Sequence, residues 1–502
     1  MPSKIFSATN VGLDSHLIEV EADISASNPN FLIVGLPDAA VSEAKERVRS
    51  AIKNSDMLFP RTKITVNLAP ADLKKFGPSF DLPIAIAVLN CQVKGLKLKP
   101  EDKQSLFIGE LSLDGTVKPI NGILSIAASL KEWKIKRIYL PQENAAEAAL
   151  IKNLEIFPVN NLSQLILHLK DKEKIKRFSG SPNFSFTSDN DFNLGEIKGQ
   201  QQAKRALVIT AAGYHNLLLQ GPPGSGKTLL SRALAGLLPP LSLEESLEVT
   251  KIYSLIGQLK KGEPLVIKRP FRSPHHTSSG IALIGGGSFP HPGEITLAHR
   301  GILFLDEFPE FPRNVVENLR QPLEDGLVTV SRAQTSITFP ARFTLVAAMN
   351  PCPCGYLGDT KTECSCSVFS IENYQKKISG PIMDRIDLRV NVPRLTENEL
   401  TDKTVPEDME KIKRQIKTAQ EKQFARLQKY NLFYNSEMNY QIVEKLCHLE
   451  PESEKLLKEA IGKLQLSARS YHKILKVART IADLDNSEKI KTEHLAESLQ
   501  YR

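Results

Sequence analysis

The segment Gly221-Pro222-Pro223-Gly224-Ser225-Gly226-Lys227-Thr228 has the residue types and spacing that cradle a phosphate chain. Its pattern is G-x-x-x-x-G-K-[ST], whose glycines let backbone N–H groups turn inward onto phosphate oxygens. Lys227 would set a cation against the β- and γ-phosphates, and the Thr228 hydroxyl would ligate Mg²⁺. Further on, Gly301-Ile302-Leu303-Phe304-Leu305 ends in Asp306 and Glu307. Two carboxylates at the end of an apolar strand suit two tasks. Asp306 would hold the metal's water shell, and Glu307 would polarise a water for attack on the γ-phosphate. ATP with Mg²⁺ is therefore the expected cofactor and hydrolysis the expected reaction.

Other side chains could also do chemistry. Asn350 ends the apolar run Phe343 to Met349, where an amide can orient the lytic water or simply begin a turn before Pro351. Cys352, Cys354, Cys364 and Cys366 form C-P-C-x9-C-S-C. In a reducing compartment such a cluster reads as a Zn²⁺ site or as a loop of free thiols, rather than as two disulfides. Cys91 and Cys447 sit in apolar settings and read as core. His275 and His276 lie in Phe271 to Glu294, a stretch rich in Gly, Pro, Ser and His that reads as a long loop touching substrate. Adjacent histidines point different ways on most backbones, which argues against a metal there. Arg332, at the end of Val328-Thr-Val-Ser-Arg, sits near the turn of an expected hairpin with Ser336-Ile-Thr-Phe.

These residues need elements to position them. Leu217 to Leu219 reads as a buried strand before the glycine-rich loop, and Leu229 to Leu238 as the helix after it. Lys227 and Asp306 are 79 positions apart, far more than one crossover between parallel strands requires, so the chain must carry an insertion. Upstream, Lys63 to Leu68, Ser105 to Ile108 and Arg137 to Leu140 read as strands, and Asp81 to Leu89 as a helix. Polar residues from Asp171 to Asn193 read as a linker. The last hundred residues are helical in pattern. The expected fold is α/β and multidomain: 1–170, a linker 171–194, a parallel-sheet nucleotide core 195–394, and a helical lid 395–502.

With 502 residues, 41% hydrophobic and 24% charged, the chain has ordinary globular composition, and its length suggests about three domains. The N-terminus lacks the apolar segment of a secretory signal, and no run reaches the ~20 residues of a membrane helix. A cytoplasmic protein with no membrane partner is expected. The net charge of +8 permits nucleic-acid binding without demanding it. Lys411 to Lys429 reads as a basic helix, which is either a DNA-facing surface or a solvated face.

From Gly195 onward the chain resembles the magnesium-chelatase-like branch of the AAA+ P-loop ATPases. The resemblance rests on the motifs above, the hairpin before the Asn350 strand, and Ser379-Gly-Pro-Ile-Met-Asp-Arg385-Ile-Asp-Leu. With the Phe-Arg-Ser-Pro-His-His segment and the extra N-terminal region, the whole length is similar to the bacterial ComM/YifB family. The resemblance implies a homo-oligomeric, hexameric ring. It makes Arg385 an arginine finger entering the neighbouring subunit's site and Arg469 a sensor arginine from the lid. It also implies sequence-independent binding of single-stranded or branched DNA, with helicase or branch-migration activity in natural transformation. His275, His276 and Arg332 then become DNA-contact candidates. The N-terminal region resembles the Lon-protease/ribosomal-S5-like α+β fold through Gly77-Pro78-Ser79 and Gly109-Glu-Leu-Ser-Leu-Asp-Gly. Lon-type proteases pair their serine with a lysine base, but here the lysine position is Leu124, so a protease-inactive scaffold is expected. A magnesium-chelatase remodelling subunit is the alternative reading, and an ATP-dependent Lon-like protease is the third.

Overall fold

Alternating and unbroken apolar runs sort into two sheets, each inside its own unit. The computed structural model describes residues 2–92, 96, 98–180, 194–287, 290–331, 336–397, 399 and 408–502. One unit comprises Met1–Ser185 together with Ser246–Val266, and the other comprises Phe186–Glu245 and Ile267–Arg502.

The first unit is built on β1 (Ser3–Val11), β2 (Asp14–Ser25), β3 (Asn30–Val34), β4 (Lys63–Ala69), β5 (Leu106–Phe107), β8 (Arg137–Pro141) and β9 (Glu155–Val159). Between β5 and β8 comes a small hairpin of β6 (Glu110–Leu111) and β7 (Val117–Lys118). The large sheet runs β3-β4-β2-β1-β5-β8-β9. β1 and β2 are antiparallel from Ser3↔Ala22 to Val11↔Asp14, and their two-residue turn contains Gly12 at φ 64°. In β4 the alternation is strict: Ile64, Val66 and Leu68 are buried and their neighbours are half-buried. The helix Asp81–Cys91 is apolar from Leu82 to Leu89 and buried throughout that run, as a helix hydrophobic on every side must be. Its first residue, Asp81, is fully buried. Arg47 of the helix Ala39–Asn54 reaches it through Nε at 2.7 Å and Nη2 at 3.0 Å, and the Leu111 N–H donates to it at 3.2 Å. Burial pushes this carboxyl up to about 6, with the Arg47 guanidinium pulling the other way.

Residues 246–266 belong to this unit although the chain reaches them midway through the second. Ser254 is the clasp. Its hydroxyl donates to Glu147, and its Oγ and carbonyl both accept from the Gly122 N–H at 3.0 Å. Glu147 also accepts from the Leu124 N–H at 2.9 Å. The sequence makes Phe271 to Glu294 the candidate for the insertion between Lys227 and Asp306, and the structure differs in two ways. About a quarter of the stretch between Lys227 and Asp306 is this returning segment, Ser246–Val266. The supposed loop, moreover, is built from short elements: β11 (Phe271–Arg272), the helix Gly280–Ile284, β12 (Gly285–Gly286), β13 (His291–Pro292) and the helix Glu294–Leu297. Arg272 closes it with two hydrogen bonds of 2.6 Å to Glu294.

The second unit holds an all-parallel sheet in the order β11-β14-β17-β10-β18, with β10 (Leu217–Gln220), β14 (Ile302–Leu305), β17 (Thr344–Met349) and β18 (Leu388–Asn391). Every residue of β14 and β17 is buried, which explains their unbroken apolar sequences. The expected hairpin is β15 (Leu327–Ser331) with β16 (Ser336–Pro340), in register Val328↔Phe339. Arg332 and the turn residues lie outside the described residues. The end of the chain is helical: Met409–Leu427, Tyr440–Leu446, Pro451–Leu464, Ala468–Leu484 and Thr492–Gln500. Fully buried Arg479 of the fourth of these pairs with Asp483 one turn on and donates to the carbonyls of Ser487 and Glu488 beyond the helix end.

Candidate functional site

β17 lies between β10 and β14, with Leu219↔Ala348 on one side and Leu305↔Ala347 on the other. The carboxyl ends of three neighbouring strands therefore deliver the phosphate loop, Asn350 and Asp306-Glu307 to one edge of a parallel sheet, where such sheets bind ligands.

The loop's shape follows from its glycines. Gly221 must be glycine because a Cβ there would lie 2.1 Å from the Val392 carbonyl oxygen. Gly224 and Gly226 adopt φ 75° and 92°, and a Cβ on either would point into open space. The loop leads directly into the helix Lys227–Leu237, whose N-terminal N–H groups suit an anion. Lys227 Nζ donates to the carbonyls of Gly221 at 2.7 Å and Pro222 at 2.9 Å, and to Asn350 Oδ1 at 3.3 Å. Burial lowers the pKa of this amine, opposed by Asp306. A polyanion beside it would restore what burial takes away. Ser225 Oγ is buried without a hydrogen-bond partner among the described residues. Thr228 Oγ1 donates to Asp306 Oδ2 at 2.9 Å, so a hydroxyl and a carboxylate already converge as the hard oxygen ligands Mg²⁺ prefers. These residues fit a nucleotide triphosphate with its Mg²⁺.

Glu307 stands beside this pair in the left-handed region, φ 51°. For a residue with a Cβ that conformation costs about 1–3 kcal/mol and clusters at working sites. Its carboxylate is half exposed, and Oε2 lies 2.8 Å from His276 Nδ1. The sequence reading offered His276 as a DNA contact, but its partner here is the general-base candidate. His275, with its ring centre 4.2 Å from that of His276, turns instead to the Thr277 hydroxyl at 2.8 Å. No spacing signal in the sequence joins positions 276 and 307. Only the parallel pairing of β11 with β14, Phe271↔Ile302, does so.

Arg385 and Arg469 come together at a different place. Arg385 Nη2 pairs with Glu324 while its Nη1 donates to the Pro381 carbonyl at 2.7 Å. Arg469 lies 3.9 Å from Glu324 and 3.9 Å from Asp384. Both line a cavity of about 620 Å³ with Glu324, Asp384, Tyr434 and Lys476. Arg469 is thus the companion of Arg385, whereas the partners of Lys227 are Asn350 and its own loop. Cys352, Cys354, Cys364 and Cys366 follow directly after Asn350, with all four sulfurs within 4.8 Å of one another, and could hold a metal ion. In the first unit Leu124 is fully buried. Lys75, in the same unit, donates its amine to the Pro70 carbonyl. Among the described residues, no helix is long and apolar enough to cross a membrane.

Comparison with known proteins places these features in context. Residues 193–400 match the family described as magnesium chelatase, subunit ChlI. Residues 20–144 match subunit ChlI of Mg-chelatase, and residues 406–502 match the ChlI C-terminal family. The chain is 42% identical to the competence protein ComM of Haemophilus influenzae, over 99% of this chain and 97% of that protein. It is 41% identical to YifB of Escherichia coli, over 98% and 95%. It is 32% identical to the magnesium-chelatase 38 kDa subunit of Cereibacter sphaeroides, over 32% of this chain and 53% of that protein.

Proposed function

The chain belongs to the ComM/YifB family of magnesium-chelatase-like AAA+ proteins, and from that premise we propose that it is an ATP-driven motor that works as a hexameric ring on single-stranded or branched DNA. Its task in this reading is branch migration of recombination intermediates, in the cytoplasm, during uptake of foreign DNA. Lys227 and the loop N–H groups hold the phosphates, while Thr228 and Asp306 hold Mg²⁺, which would neutralise phosphate charge. Asn350 positions a water and Glu307 accepts its proton as the water oxygen bonds to the γ-phosphorus and the β–γ bridge breaks. Arg385, with Arg469 beside it, serves the site of the adjacent subunit. The first unit acts as a Lon/S5-like scaffold without protease chemistry.

The observation that carries this reading is the convergence of Lys227, Asn350, Asp306 and Glu307 on one sheet edge, in a chain that matches a competence protein from end to end. Support from charge is narrower. On the basic helix Met409–Leu427, Arg426 is taken by Asp483 at 2.6 Å, whereas Lys411, Arg414 and Lys417 are exposed.

ATP turnover measured with forked or single-stranded DNA, together with strand exchange on a three-strand substrate, tests the proposal. DNA should stimulate turnover, and the branch should move only with ATP. Glu307→Gln should bind ATP yet turn over roughly 10²- to 10⁴-fold more slowly, and Lys227→Ala should lose nucleotide. Indifference to every DNA, with stimulation only by a tetrapyrrole metal-insertion partner, would replace this reading with the chelatase one.

A further inference from the structure

Residues 352–366 contain no helix or strand. The backbone hydrogen bonds within them, among the described residues, are two turns: Gly355 N–H to the Cys352 carbonyl and Asp359 N–H to the Tyr356 carbonyl, each 3.0 Å. Something else must order this stretch, and its four cysteines are gathered at one point. Cys352 and Cys354 sulfurs are 3.4 Å apart, and Cys364 Sγ lies 3.6 Å from both. The Cys354 N–H approaches Cys366 Sγ at 3.4 Å. All four are free thiols.

A tetrahedral ion with metal–sulfur bonds of about 2.3 Å holds its ligand sulfurs about 3.8 Å apart. Cys352, Cys354 and Cys364 already have that spacing to within a few tenths of an ångström, and Cys366 Sγ lies within 4.8 Å of them. An iron–sulfur cluster, with its ligands on separate irons, would need them wider. Four soft thiolates around one position select Zn²⁺ among common intracellular metals, and an N–H turned towards a sulfur offsets thiolate charge.

The location gives such an ion a role. Cys352 is two residues beyond Asn350, and the Gln375 side chain donates to the intervening Pro351 carbonyl at 3.3 Å. Gly355, at φ 89°, lies so close to the phosphate loop that a Cβ would be 2.7 Å from Pro223 Cδ and 3.7 Å from Asn350 Cγ. We infer that Cys352, Cys354, Cys364 and Cys366 bind one zinc ion, and that this ion fastens the Asn350 end of β17 against the phosphate loop. The zinc takes no part in the chemistry. It fixes the two groups between which the γ-phosphate must fit.

Full-length protein purified without chelator should carry about one zinc per chain by elemental analysis. Grown with cobalt, it should show the intense charge-transfer and visible bands of a tetrahedral thiolate site. A Cys364→Ser/Cys366→Ser variant should lose both signals. Should that variant fail to fold, stripping wild-type protein with a mercurial and restoring zinc gives the same comparison. Stripped protein should bind a fluorescent ATP analogue several-fold more weakly and recover with zinc. Zinc far below stoichiometric after zinc supplementation, an iron–sulfur spectrum, or zinc retained in the double variant would overturn the site. Stoichiometric zinc with unchanged nucleotide affinity on stripping would overturn the fastening.

Discussion

Glu307 shows how little sequence spacing says about a side chain's working state. The strand places it beside the metal ligands, but its carboxylate rests on His276, 2.8 Å away, and so is held by a partner other than water. His276→Ala should release the base and raise ATP turnover without DNA several-fold; an unchanged or reduced DNA-free rate would show that the contact does not restrain it. A second pairing makes a prediction about pH. Asp81, fully buried, titrates at about 6 in the fold, above its ordinary value. A carboxyl raised in this way contributes stability that is fully present below its unfolded value and lost as pH rises through about 6. Arg47→Met removes the guanidinium that opposes the rise, leaving an unpaired buried acid at a cost of about 3–5 kcal/mol near neutrality. Thermal unfolding of the variant should lag wild type most at pH 8 and converge with it towards pH 4. A gap that is constant across that range would contradict the assignment.

At the scale of elements, the site depends on three strand ends and on the clearance between them. Gly221→Ala should weaken nucleotide binding and lower the melting temperature, because its methyl would meet the Val392 carbonyl at 2.1 Å. In the first unit Ser254→Ala would remove the hydroxyl that donates to buried Glu147, leaving the Gly122 N–H only the Ser254 carbonyl. The cost should be about 1–3 kcal/mol, seen as faster proteolysis around 256–266. Elements of one strong character were legible in the sequence: the apolar strands β10, β14 and β17, the helix after the loop, and the helix Asp81–Cys91. So were Lys227, Thr228 and Asp306, because their chemistry forces a fixed local spacing. β11 was not legible, since two residues carry no periodicity, and with it went the contact between His276 and Glu307. β1 to β3 also escaped notice: β3 is five residues with a single buried position, whereas β2 carries a plain alternation, with Ile18, Val20 and Ala22 buried between charged neighbours, that could have revealed it. The meeting of Arg385 with Arg469 on Glu324 is tertiary and leaves no local trace.

Across the whole molecule, the position of Arg385 away from its own phosphate loop carries the ring prediction. Arg385→Ala and Asp306→Ala should each be inactive alone, and mixing them should return part of the activity by joining an intact finger to an intact metal site. Mixtures as inactive as their components would argue that each chain completes its own site. The first unit, meanwhile, includes residues 246–266, and this dictates how the protein can be born. A nascent chain that has reached Ser185 has most of that unit but lacks Ser254, so the Glu147 carboxylate and the Gly122 amide await their partner. At about 5–20 residues per second the ribosome needs roughly 3–14 s more to supply it. During that wait the phosphate loop itself is made, so the nucleotide-binding strand emerges before the unit ahead of it can close.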